Sequence, residues 1–158
     1  MDTTSVFALA FAIGMIDGLR SMTAPAVVSW AAHWKWLNLD STALAFLSSS
    51  TAAYIFTALA VSELVVDKLP QTPSRLLPGS LFIRIVLGGL CGAALCASTH
   101  HSPAIGAAFG GVAAIAGAFA GYQARTRLVR ALNAPGFAIA VLEDAVAVGC
   151  GFLIVSRF

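Results

Sequence analysis

Charged residues are the scarcest class in this chain. Only 10% of its 158 residues are Asp, Glu, Lys or Arg, while 59% are hydrophobic; soluble domains carry about 25% charge. That shortage excludes a water-soluble fold of this size, because too little charge is available to face solvent. The mean hydropathy of +0.88 agrees, and lipid is the solvent that fits. The net charge of +2 is too small to imply nucleic acid. Cysteine is sparse as well. Cys91, Cys96 and Cys150 all sit in apolar runs, with no metal-ligand spacing and no disulfide framework, and read as small packing residues. Catalytic signatures are missing: there is no His-Glu-x-x-His, no Gly-x-Ser-x-Gly and no Walker loop. His100-His101 has no acidic or Cys companion nearby, so no metal or other cofactor is implied and no enzyme is expected. No Lys or Arg precedes the first apolar run and Asp17 falls inside it, so this segment reads as a retained helix, not a secretory signal.

What is present is apolar sequence in membrane-length pieces. A helix needs about 20 largely apolar residues to cross about 30 Å of hydrocarbon. Five stretches qualify within a single domain, 1–158: Ser5 to Ala32, Ala43 to Val66, Ser80 to Ser98, Pro103 to Ala124 and Gly136 to Ser156. The expected fold class is therefore all-α, a polytopic membrane helix bundle of about five transmembrane helices. The first stretch is interrupted by Asp17, Gly18, Arg20, Ser21 and Pro25 and reads as a broken or kinked helix, with a re-entrant pair of half-helices as the alternative.

Loop charges set an expected orientation. Lys68 and Arg75 in the second loop, with Arg125, Arg127 and Arg130 in the fourth, face Lys35 and Arg157 on the other side. Five against two puts the second and fourth loops in the cytoplasm, the N-terminus inside and the C-terminus outside. Trp30, Trp34 and Trp36 fall at the expected outer boundary, and Tyr122 at the inner one. Packing should use small residues, because lipid tails give helices no hydrophobic reason to associate. The pairs Gly14/Gly18, Gly88/Gly92, Gly106/Gly110 and Gly117/Gly121 suit a tight bundle and offer faces for a homo-oligomer. Ser48, Ser49, Ser50 and Thr51 read as lying inside the second helix, their hydroxyls bonded back to carbonyls one turn earlier or lining a polar path.

Two hairpins look alike. The second stretch ends in Ser62-Glu63-Leu64-Val65-Val66-Asp67 and the chain restarts at Pro78-Gly79 with Arg84 inside. The fourth ends near Tyr122 and the chain restarts at Pro135-Gly136 with Glu143-Asp144 inside. Both loops lie on one side, which makes this a parallel repeat of two hairpins. The exchanged signs suggest that Arg84 faces Glu143 or Asp144, while Glu63 or Asp67 faces Arg125 or Arg127. Arg84 lies about 8 Å and Glu143 about 10 Å inside its helix at ~1.5 Å per residue. Adjacent Glu143 and Asp144 point about 100° apart, so one partner cannot satisfy both: one is expected to reach Arg84 and the other Arg20 or a bound ligand.

Charge at bilayer depth costs roughly 2.5 to 3.5 kcal/mol per residue, and it usually pairs or lines a polar cavity. Asp17, Arg20, Glu63, Asp67, Arg84, Arg125, Glu143 and Asp144 are therefore the candidate substrate or proton path. Four acids within the spans (Asp17, Glu63, Glu143 and Asp144) outnumber Arg20 and Arg84, and such a surplus suits a proton- or cation-binding site. The function expected is a small transporter or channel-like protein for a cationic or proton-coupled solute, with the lipid bilayer and that solute as partners. The rival readings are a structural subunit held together by the same charges, and binding or flipping of anionic lipid headgroups by Arg84, Arg125 and Arg127.

The runs Asp17-Gly18-Leu19-Arg20-Ser21-Met22-Thr23-Ala24-Pro25, Glu63 to Arg75 (ELVVDKLPQTPSR), Tyr122-Gln123-Ala124-Arg125-Thr126-Arg127 and Leu142-Glu143-Asp144-Ala145 resemble a family of small bacterial membrane proteins catalogued only as a domain of unknown function. The resemblance spans nearly the whole chain and is most specific in the second run. It implies a bacterial inner-membrane location and carries no activity, substrate or cofactor.

Overall fold

The structure is a computed structural model that describes residues 1–67, 77–132 and 136–158. Its regular structure in those residues is entirely helical: α1 (Thr3–Leu19), α2 (Thr23–His33), α3 (Ser50–Val66), α4 (Pro78–Ser98), α5 (Pro103–Leu132) and α6 (Gly136–Val155), with a short 3-10 turn at Ala45–Ser48. Lys68, Arg75 and Pro135, on which part of the charge asymmetry and the repeat rest, lie outside the described residues.

Three helices, α4, α5 and α6, are long and apolar enough to cross a membrane; α1 and α3 are apolar but shorter, at 17 residues each. The outward surface is apolar too. Phe82, Phe137, Leu153 and Val112 are each more than 60% exposed, an arrangement that water would penalise and lipid would not. This is a helical membrane protein.

The first apolar stretch departs from a single spanning helix. Thr3 meets His101 at the α4–α5 turn, Phe7 stacks on Phe109, and Gly14 and Gly18 cross α5 at Gly110 and Ala114, so α1 runs parallel to α5. Arg20 then meets Asp144, Val27 packs on Gly151 and Trp34 on Phe152, so α2 runs parallel to α6. Because α5 and α6 are antiparallel neighbours in the chain, α1 and α2 run in opposite directions. The stretch is a helical hairpin that turns at Arg20–Met22, so the described residues form six α-helices, with two of them where one broken span was expected. Both termini consequently lie at one end, where the five-span reading put them on opposite sides. α3–α4 and α5–α6 do run in the same sense, as two parallel hairpins should.

The hairpin organises the rest. α1 packs against both α4 and α5, which also pack directly on each other, while α2 lies against α3 and α6. Proline starts α4 and α5, where its missing N–H costs nothing. Both α2 and α4 end in a left-handed residue, Lys35 and His100. Main-chain bonds from Trp36 to Ala31 and from His101 to Cys96 close the last turns. The serine run is not helix interior. Ser48 closes the 3-10 turn, and Ser49 caps α3 by accepting from the Ala52 amide at 3.1 Å while donating to the Phe46 carbonyl at 2.8 Å. The tryptophans cluster where α2 ends, with Trp30 and Trp34 ring centres 5.1 Å apart and Trp34 and Trp36 5.5 Å apart.

Candidate functional site: the capped tip of a helical hairpin

Reversing a chain inside an apolar bundle exposes two sets of main-chain groups: the last carbonyls of α1 and the first amides of α2. In lipid no water can satisfy them. Here charged side chains from other helices do. Glu63 of α3 accepts from the Ser21 amide at 3.0 Å, the Met22 amide at 2.8 Å and the Ser21 hydroxyl at 2.7 Å. Its negative charge sits at the positive end of α2, where a helix dipole favours it. Arg84 of α4 donates to the Asp17 and Gly18 carbonyls at 3.1 and 2.7 Å, at the negative end of α1. Arg84 and Glu63 also approach each other at 3.7 Å, so the two caps form one unit.

Arg20, at the turn itself, is fully buried. It pairs with Asp67 at the end of α3 and with Asp144 of α6. The tip is thereby tied to α3 and α6 by ion pairs and to α4 by hydrogen bonds. Asp17, one turn back on α1, is also fully buried. Its carboxyl faces the main chain of Gly88 and the side chains of Arg84, Glu63 and Cys91. Gly88 is its nearest main-chain neighbour, but among the described residues neither oxygen forms a hydrogen bond of normal geometry.

Six of the eight candidate residues are therefore brought together: Asp17, Arg20, Glu63, Asp67, Arg84 and Asp144. Arg125 and Glu143 lie to one side, lining a cleft of about 190 Å³ between α5 and α6 together with Leu19, Leu128 and Leu142. The partnerships differ from those expected. Arg84 meets Glu63 where Glu143 or Asp144 was anticipated, and Asp67 meets Arg20 where Arg125 or Arg127 was. The reversal at Arg20 explains both changes, because it inserts the α1–α2 tip between the two hairpins that were expected to face each other. The anticipated second cation for the Glu143-Asp144 pair is indeed Arg20, and it takes Asp144. Sequence reasoning missed the Ser21 and Met22 amides, Gly88 and Cys91. Gly88 carried a signal as half of a glycine pair; the amides carried none, since they become site groups only once the helix breaks.

Among the described residues no cluster of three or more His, Cys, Asp or Glu is placed to hold a metal ion. The layer's chemistry is that of carboxylates, guanidinium groups and helix ends in a dry interior. Carboxylates and guanidinium groups at such close range are the chemistry of ion pairing and of proton or cation binding. No curated protein and no solved structure matches the chain. The family described as a domain of unknown function (DUF4126) matches residues 7–156, and the chain belongs to that family.

Proposed function

We propose that the chain is a small transporter or channel-like protein of the bacterial cytoplasmic membrane, passing a cation or coupling a solute to protons through the carboxylates at the hairpin tip. Asp17 is the observation that supports this reading. A purely structural network gives every carboxylate a cation or a donor, as Glu63, Asp67 and Asp144 have. Asp17 instead lies buried with no ion pair of its own, beside the Gly88 main chain and an Arg84 guanidinium already engaged by Glu63 and the α1 carbonyls, and a buried carboxylate so weakly matched is costly to keep without a proton or a bound cation. The fold adds a reason for mobility: the tip is a helix break, the device by which transporters place main-chain ends at an ion site.

The test is flux in proteoliposomes under an imposed proton or cation gradient, with melting temperature measured in parallel. Asp17→Asn should abolish flux and leave the melting temperature nearly unchanged, because the amide keeps the shape and needs no counter-charge. A non-transporting structural subunit predicts that no gradient ever drives uptake through the wild-type protein, and that result would retire the transport reading. The arginine excess at Arg125, Arg127 and Arg130 supports a cytoplasmic tip end, with both termini outside. Impermeant thiol labelling of single cysteines added at each terminus should then succeed from the periplasmic side for both.

A further inference from the structure

Resting on that transport reading, we propose that the ion taken by Asp17 is a proton, and that Arg84 is its internal counter-cation, moving from Glu63 and the end of α1 to Asp17 when the proton leaves. A metal cation needs several oxygen ligands at close range. Around Asp17 the described residues supply instead the Gly88 main chain, the Cys91 thiol, the Arg84 guanidinium and one further carboxylate, Glu63, whose two oxygens are already taken by the Ser21 and Met22 amides. A metal ion there would also meet the positive charge of Arg84. A proton needs one carboxyl oxygen and no shell.

Arg84 is already placed for the exchange. Its guanidinium donates to the main-chain oxygen of the very residue whose carboxyl lacks a partner, and it reaches Glu63 on its other side. Among the described residues, the titratable and charged groups facing Asp17 are Arg84 and Cys91 from α4 and Glu63 from α3; beside Gly88, α5 presents the Gly110 main chain and Ala114. With Asp17 a neutral acid, Glu63 is the anion that Arg84 serves. When the Asp17 carboxyl gives its proton to water, it becomes a second anion beside the same guanidinium, which stays fully protonated throughout. Transfer of Arg84 to Asp17 weakens its hold on the α1 carbonyls and leaves Glu63 with the Ser21 and Met22 amides. The cap that fixes the tip to α4 is then released by loss of one proton. Arg84 is thus a positioning residue, and Asp17 the proton carrier.

Infrared difference spectroscopy on the protein in lipid, high pH minus low pH, reads both halves of the exchange. The wild-type protein should lose the carbonyl stretch of a protonated carboxyl free of hydrogen bonds and gain a carboxylate band, with guanidinium bands shifting together with them. Asp17→Asn should remove all three signals, and Arg84→Lys should remove the guanidinium signals alone. A wild-type spectrum without the carboxyl band, or guanidinium shifts that survive Asp17→Asn, would overturn the inference. If Arg84→Lys does not fold, the comparison of wild type with Asp17→Asn still decides. The spectra do not depend on flux. A spectral switch without transport sinks only the transport reading, and transport without the switch sinks only this one.

Discussion

The two arms of the hairpin are held by different physics. α1 is held by absence of side chains: Gly14 and Gly18 lie so close to α5 that a Cβ on either would strike the main-chain oxygen of Gly110 or Ala114, and Gly88 and Gly92 bring α4 equally near α5. α2 is held by side chains that reach: Glu63 to its first amides, Arg20 to Asp67 and Asp144, and Trp30 Nε1 to Thr57 Oγ1 at 2.9 Å. The first arm is rigid by contact, since small residues let three backbones meet. The second is fixed by a few strong polar bonds, each of which can be exchanged.

The largest effect should come from cutting the polar arm at its centre. Arg20→Ala takes the cation from Asp67 and Asp144 in a buried site and should destabilise by about 3 to 5 kcal/mol. Denaturation in detergent measures it, and removing an acid as well, in Arg20→Ala with Asp144→Ala, should recover part of the loss. If the double variant is no more stable than the single one, the pair is not what holds α2. Next comes the contact arm. Gly14→Ala puts a methyl against the Gly110 carbonyl and should cost about 1 to 3 kcal/mol. Gly149→Ala, on α6 with open space around it, should be neutral or slightly stabilising. Equal melting temperatures for the two alanine variants would erase the distinction between the arms.

A smaller loss is expected from Trp30→Phe, which deletes one hydrogen bond and keeps most of the ring packing, about 0.5 to 1.5 kcal/mol. The smallest effect lies at the exposed start of α1. Hydrogen bonds from the Ser5 hydroxyl and amide hold the Asp2 carboxyl below the usual carboxylate range. A depressed value means the cap is fully effective above the ordinary carboxylate range and fades as pH falls through the lowered value. Amide exchange at Ser5 should show fraying there in acid, and Asp2→Ala should produce the same fraying at neutral pH.

Much of this was legible in the residues. Apolar composition identified the membrane as solvent, and the charged residues singled out eight candidates, six of which meet while Arg125 and Glu143 line a separate cleft. Glycine pairs pointed to close helix crossings, and Gly14, Gly18, Gly88, Gly92, Gly106 and Gly110 all make them. What could not be read was direction. A kinked helix and a hairpin share one signature, because Asp17, Gly18, Arg20 and Pro25 break an apolar run in either case. The choice is made by Glu63 and Arg84, which lie more than 40 residues away and stabilise the two broken ends. Depth along a helix follows from counting, but azimuth does not. Arg84 was therefore placed at the right level and given the wrong partner.

The level of the charged layer has an electrical consequence. Arg84 lies six residues into α4, about 9 Å from that helix's start at ~1.5 Å per residue, or about a third of a 30 Å hydrocarbon thickness. A charge arriving there from the side of the α4 start traverses about one third of the membrane voltage, and one arriving from the opposite side about two thirds. With roughly 2.3 kcal/mol per elementary charge per 100 mV, occupancy from the near side changes by only about 0.8 kcal/mol per 100 mV, and the far-side step by about twice that. With the α4 start at the membrane edge, the transport proposed above would work across a lopsided voltage divider: loading at the hairpin tip from the near side would be nearly indifferent to membrane energisation, and most of the voltage dependence would fall on the far-side passage.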